Sequence, residues 1–131
     1  MKKILASIFL LTLAACAHAG KSPIAIVDTD RLKDNWPKFQ NYNNQFSVSM
    51  ASIDRSRESD AQKAKDRYAL QVKYNEIQSE LVSEVRTAAT QVAHDEHYDM
   101  VVTHESVGYG GTDITPDVEK VLHITETSPS P

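Results

Sequence analysis

Two short clusters hold residues whose types and spacing suit chemistry. The first is Tyr109–Val118, YGGTDITPDV, which carries Gly110 and Gly111 just ahead of a helix start. A glycine turn feeding a helix N-terminus is the geometry that holds phosphate, because free N–H groups and the helix dipole both point at the anion. The phosphate loop also needs a lysine followed by serine or threonine at the helix start, and none follows Gly111. Asp113 and Asp117 instead place negative charge where an anion would sit. The stretch therefore predicts a tight turn and a capped helix, with Thr115 as N-cap, Pro116 in the first helical position and Asp117 in the first turn.

The second cluster is His94-Asp95-Glu96-His97. Two histidines three apart on a helix share a side and could reach one metal ion. A third ligand is required, and only His104 or Asp99 stands near in sequence. A polar helix end explains the cluster more simply, since a histidine in the last turn suits the helix dipole. Glu76, Glu80 and Glu84 recur every four residues, a solvated helical stripe rather than an acid–base pair. The chain has no GxSxG, no HExxH and no cysteine placed as a nucleophile. No enzyme activity, no metal and no cofactor is expected.

The elements that carry these residues begin after a leader. Lys2 and Lys3 precede an apolar run from Ile4 to Ala15, too short for a membrane span of about 20 residues. Small residues follow, so residues 1–19 read as a secretory signal peptide. Leu13-Ala14-Ala15-Cys16 matches a bacterial lipobox cut before Cys16, and Ala17-His18-Ala19 matches an ordinary cut after Ala19. Cys16 is the one cysteine of the chain, so it has no internal disulfide partner. It is the candidate lipidation site, and several acyl chains on it would anchor the protein stably. Ala17 lacks the aspartate that retains enterobacterial lipoproteins at the inner membrane, which points to the outer membrane. Without Lys2 and Lys3 the net charge of −4 becomes −6, contrary to the basic footprint of nucleic-acid binding.

The 131 residues allow one domain. Ile24-Ala25-Ile26-Val27 is a β-branched apolar run that predicts a strand ending at Asp28. Asp28 or Asp30 is placed to cap a short helix, and Pro37 predicts a restart after Trp36. From Lys38 to Tyr98 there is neither glycine nor proline. Leu32, Trp36, Phe39, Phe46, Met50 and Ile53 form one apolar seam with Asn43 in a polar slot. Leu70, Tyr74, Ile77, Leu81, Val85, Ala88 and Val92 form a second. Steps averaging about 3.5 mark coiled-coil packing. The first seam is lost at Arg57, which favours a reversal near Arg57 to Gln62, capped by Ser59 or Asp60, over one continuous helix. Met100-Val101-Val102 and Ser106 to Tyr109 read as further strands. The expected body core is Ile24, Ile26, Val101, Val102, Val107, Tyr109, Ile114 and Val118.

The expected fold is α+β, spanning 22–125. A small β body comes from 22–28 and 99–122, a long antiparallel helical hairpin from 30–97, and a disordered tail from 126–131. Tyr42, Val48, Tyr68, Val72 and Val82 lie off both seams, and three short strands make a marginal sheet, so an oligomer is expected. Residues Asp54 to Lys73 carry a net +2 through Arg55, Arg57, Lys63, Lys65, Arg67 and Lys73, against −4 from Tyr74 to Tyr98. The hairpin tip is the basic end, suited either to anionic partners and headgroups or to ordinary local pairing.

In order, Ile24-Ala25-Ile26-Val27-Asp28-Thr29-Asp30-Arg31-Leu32, Trp36-Pro37, a long helical pair, Tyr98-Asp99-Met100-Val101-Val102, Ser106-Val107-Gly108-Tyr109 and Asp113-Ile114-Thr115-Pro116-Asp117-Val118 resemble the Skp/OmpH family of periplasmic chaperones. The resemblance covers Ser22 to Leu122. It implies a homotrimer whose strands build a shared β body and whose helical tentacles enclose unfolded outer-membrane proteins without ATP. Tyr42, Tyr68 and Val72 are then the candidate client-binding residues. The shorter helices, acidic charge and lipid anchor set this chain apart from the enterobacterial member. A coiled-coil structural or adaptor lipoprotein of the cell envelope is the alternative.

Overall fold

The computed structural model describes residues 22–125. The leader, Cys16 and the tail lie outside the described residues. The described part mixes helix and strand, in agreement with the expected α+β class: β1 (Ile24–Val27), α1 (Thr29–Asn35), α2 (Pro37–Arg55), α3 (Asp60–Asp95), β2 (Met100–Thr103), a 3-10 turn (His104–Ser106), β3 (Thr112–Asp113) and α4 (Thr115–Val121).

Local chemistry explains the helix boundaries. The Asp28 carboxylate accepts from the N–H groups of Asp30 (3.1 Å) and Arg31 (2.9 Å), which caps α1. α1 stops at Asn35 because Trp36 is extended, as a residue before proline must be, and Pro37 restarts the chain as α2. Ser59 caps α3, its hydroxyl accepting from the N–H of Gln62 at 3.3 Å. Both α3 and α4 end with a histidine in the left-handed region, His97 at φ 61° and His123 at φ 55°. In each case the next residue closes the motif: Tyr98 N–H donates to Ala93 O and Ile124 N–H to Glu119 O, both at 2.8 Å. Tyr98 and Ile124 are buried, so each helix end is also an apolar anchor.

β1 is the central strand. The order is β2-β1-β3 and both pairings are parallel, Ile24 opposite Met100 and Ala25 opposite Thr112. Parallel neighbours require a long crossover, and α1 to α3 supply it between β1 and β2. The return from β2 to β3 runs over residues 104–111. Gly110 and Gly111 sit at φ 88° and 90°, and a Cβ on Gly111 would lie 2.5 Å from Ile26 Cδ1. The chain therefore crosses the sheet face where only glycine fits.

This corrects the third strand. The segment from Ser106 to Tyr109 is a turn, not a strand, and Tyr109 is fully exposed rather than in the body core. Ile24 is also exposed, at 37%, while Val101, Val102 and Val107 are half-buried. Ile26, Ile114 and Val118 are buried as expected.

α2 and α3 pack along one another. Lys38 pairs with Glu84, Phe46 stacks on Tyr74 with centroids 4.2 Å apart, and Asp54 pairs with Arg67 at 2.6 Å. Positions rise on α2 as they fall on α3. The 19 and 36 residues of the two helices span roughly 28 and 54 Å at 1.5 Å per residue, so the C-terminal half of α3 has length left to pack on the sheet, α1 and α4. The main core lies at that junction, where Leu32, Trp36, Leu81, Ala88, Val92 and Val118 meet.

Candidate functional site

α3 places apolar side chains on two sides. One side faces α2 and the body. Its seam is the one read from the spacing, with Leu81, Ala88 and Val92 buried and Ile77 and Val85 packed against them. Asn43 reaches into this contact, its Oδ1 accepting from the Tyr74 hydroxyl at 3.0 Å while Gln78 donates to the same hydroxyl at 3.1 Å. The polar slot of the first seam is therefore a cross-helix hydrogen bond.

The other side of α3 meets water. Tyr68 is 73% exposed, Val72 40% and Val82 59%. Further along, α3 and β2 together form an open trough of about 680 Å³, walled by Val82, Val85, Ala89, Tyr98, Val101 and the backbone of β2. A recess of about 390 Å³ beside Leu32, Trp36, Phe39 and Leu81 shares Val82 and Val85 with it. Met100, 56% exposed, also lines the trough. β2 is an edge strand, so among the described residues its outer row of N–H and C=O groups has no partner strand. Contiguous apolar surface beside an open strand edge is the property that separates this face from ordinary solvated helix.

Of the candidate client-binding residues, Tyr68 and Val72 lie on this exposed side. Tyr42 does not. It is half-buried, packs against the core and shares a cleft with Phe46, Tyr74 and Ile77. The correction follows from register: Tyr42 is three residues after Phe39 and four before Phe46, so it belongs to the α2 face that meets α3. Cys16 lies outside the described residues.

Three cations of the basic tip are held by local contacts. Arg67 is held by Asp54, Lys63 Nζ donates to the carbonyl of Asp54 at 3.0 Å, and Arg55 Nε donates to the carbonyl of Ala51 at 3.1 Å. Arg57 and Lys65 form no ion pair among the described residues.

Neither chemical cluster assembles a reactive centre. His97 lies beyond the end of α3, so its helical relation to His94 is lost, and His94 pairs with Asp95 at 3.3 Å. No group of three metal-ligating side chains comes together among the described residues. At the glycine turn, Asp113 Oδ1 accepts from the N–H of Thr115 at 2.9 Å and from its hydroxyl. Thr115 is itself inside α4, not its N-cap, and Ile114 occupies the cap position without a side-chain bond. Thr115 Oγ1 also accepts from the N–H of Asp28 at 2.8 Å. The turn is thus occupied by its own side chains.

One ion pair went unforeseen in the sequence. Glu119, 2% exposed, accepts from Arg31 Nε at 3.0 Å and Nη2 at 2.7 Å, and from Asn35 Nδ2 at 3.4 Å. Its only sequence signal was an acid one step past Val118 on a short amphipathic helix, a position that reads as solvent-facing. No family model matches the chain, and no curated protein matches it.

Proposed function

We propose that the chain is an ATP-independent holdase of the periplasm that binds unfolded outer-membrane proteins. The observation that carries this reading is the outer side of α3, where Tyr68, Val72 and Val82 offer apolar contacts to water on a long helix paired only along its other side. Unfolded chains present the complementary apolar surface, and burying it contributes about 25 cal/mol per Å² without nucleotide chemistry. α2 and α3 act as an antiparallel coiled-coil tentacle on a body too small to be stable alone. The open edge of β2 suits assembly into a homotrimer that places three tentacles around a client. A lipid on Cys16 would hold the assembly at the outer membrane.

The test is dilution of a urea-unfolded porin into buffer with and without the purified protein, followed by light scattering and sizing. The protein is expected to keep the porin soluble. Replacing Tyr68 and Val72 together with serine is expected to weaken this severalfold while leaving the melting temperature of the protein unchanged. A protein that leaves porin aggregation untouched overturns the reading.

The Phe46–Tyr74 stack favours a second reading, an anchored coiled-coil spacer or adaptor, because it stiffens the helical pair at mid-length. That reading predicts a rigid rod by scattering and no effect on the porin.

A further inference from the structure

Two cations of α3 stand apart from the rest. Lys63 lies three residues from both Asp60 and Asp66, Lys73 lies three from Glu76, and Arg67 is held by Asp54. Lys65 has Ala61, Gln62, Tyr68 and Ala69 at the positions three and four residues away, and Arg86 has Val82, Ser83, Ala89 and Thr90. No carboxylate stands where helical ion pairs form. Neither cation is in an ion pair among the described residues.

Both lie on the side of α3 turned away from α2. At 100° per residue, Lys65, Tyr68, Val72, Ser79, Val82 and Arg86 fall within an arc of roughly 100°, and all six are exposed. Between Ala61 and Thr90 that arc holds no Asp or Glu. Glu76 falls just past its margin and Glu80 further round, while Glu84 is turned toward α2, where it meets Lys38. A chain of net charge −4 thus keeps its acids off this lane and closes each end with an unpaired cation. From Lys65 to Arg86 the lane runs about 31 Å at 1.5 Å per residue.

We propose that this lane holds one membrane strand's length of an unfolded outer-membrane protein, drawn out along α3 with a carboxylate at each end. The proposal rests on the holdase reading and names the segment that is held. An extended chain advances about 3.3 Å per residue, so the lane matches about nine or ten residues. A strand that crosses the outer membrane has about 9–11. Its lipid-facing side chains are apolar, and its charges are driven toward the two ends because a charge is costliest at the midplane. Lane and strand share one pattern, apolar in the middle and charged at both ends, and the signs are opposite where the strand ends are acidic. Alternate side chains of the client then lie on Tyr68, Val72 and Val82, and its end carboxylates meet Lys65 and Arg86. Asn75 and Ser79, exposed between them, offer hydrogen bonds to the client's unpaired backbone. The client takes the helix and leaves the edge of β2 to assembly of the trimer, which carries three such lanes.

The test uses the full-length protein, produced with its own leader and purified as processed. The probes are fluorescent ten-residue peptides of alternating apolar and serine residues, ending in two aspartates, two glutamines or two lysines. Binding is read by anisotropy at low ionic strength. The aspartate-ended peptide is expected to bind roughly three- to tenfold more tightly than the glutamine-ended one, as two exposed ion pairs allow, and salt should shrink the difference. Lys65→Glu together with Arg86→Glu should reverse the preference toward the lysine-ended peptide, with the helical signal unchanged. A peptide with its two aspartates only four residues apart should lose most of the advantage. Equal binding of the aspartate- and glutamine-ended peptides, an unreversed preference in the double variant, or no binding at all overturns the proposal. Porin holding is scored separately. A protein that holds porin but ignores the end charges sinks only this assignment, and one that leaves porin aggregation untouched sinks the holdase reading.

Discussion

Gly111 is the residue on which the return to the sheet depends. Its φ of 90° and the 2.5 Å approach that a Cβ would make to Ile26 are independent demands. Gly110 shares the first, at φ 88°, and has open space around it. Gly110→Ala should therefore cost only the backbone penalty of about 1–2 kcal/mol. Gly111→Ala adds overpacking against Ile26, typically about 1–3 kcal/mol, and should lower stability by roughly 2–5 kcal/mol in all. Chemical denaturation of the two variants checks the ordering, and equal losses would refute the close approach. His97 and His123 occupy the same left-handed region without being glycine, and are held there by the buried Tyr98 and Ile124 that follow them.

Among the elements, the pairing of α2 with α3 depends on aromatic contact at mid-length. A double-mutant cycle on Phe46→Leu and Tyr74→Leu should return a coupling of about 0.5–1.5 kcal/mol. Zero coupling would mean that the two helices are held apart in solution. The elements themselves were largely readable from local chemistry. Asp28, Pro37 and Ser59 each mark a boundary within one or two residues, because capping and proline geometry act on the nearest turn. The seam of α3 was readable because Leu81, Ala88 and Val92 repeat at helical spacing. β3 was not. Two residues have no period, and Thr112 and Asp113 become a strand only because β1 lies beside them. Val107 and Tyr109 carried the stronger strand pattern, and the glycine turn overrode it.

In the whole molecule, α1 with its cap and α4 are tied through polar contacts 87 and 88 residues apart, Asp28 with Thr115 and Arg31 with Glu119. Breaking a buried ion pair costs about 3–5 kcal/mol, and less here because Arg31 keeps a third of its side chain in water. Glu119→Ala should cost roughly 2–3 kcal/mol. The fluorescence of Trp36, the one tryptophan and 6% exposed, should report this in the same transition as circular dichroism. Separate transitions would show that body and helices unfold independently. The sequence by itself determined where helices start and stop, the mixed class and the seam along α3, since these depend on neighbours within a turn or two. Tertiary structure alone decided that Tyr68 and Val72 stay exposed, that the sheet is parallel with β1 at its centre, and that Glu119 is buried. Those outcomes depend on which distant residue arrives opposite, and no local pattern encodes that.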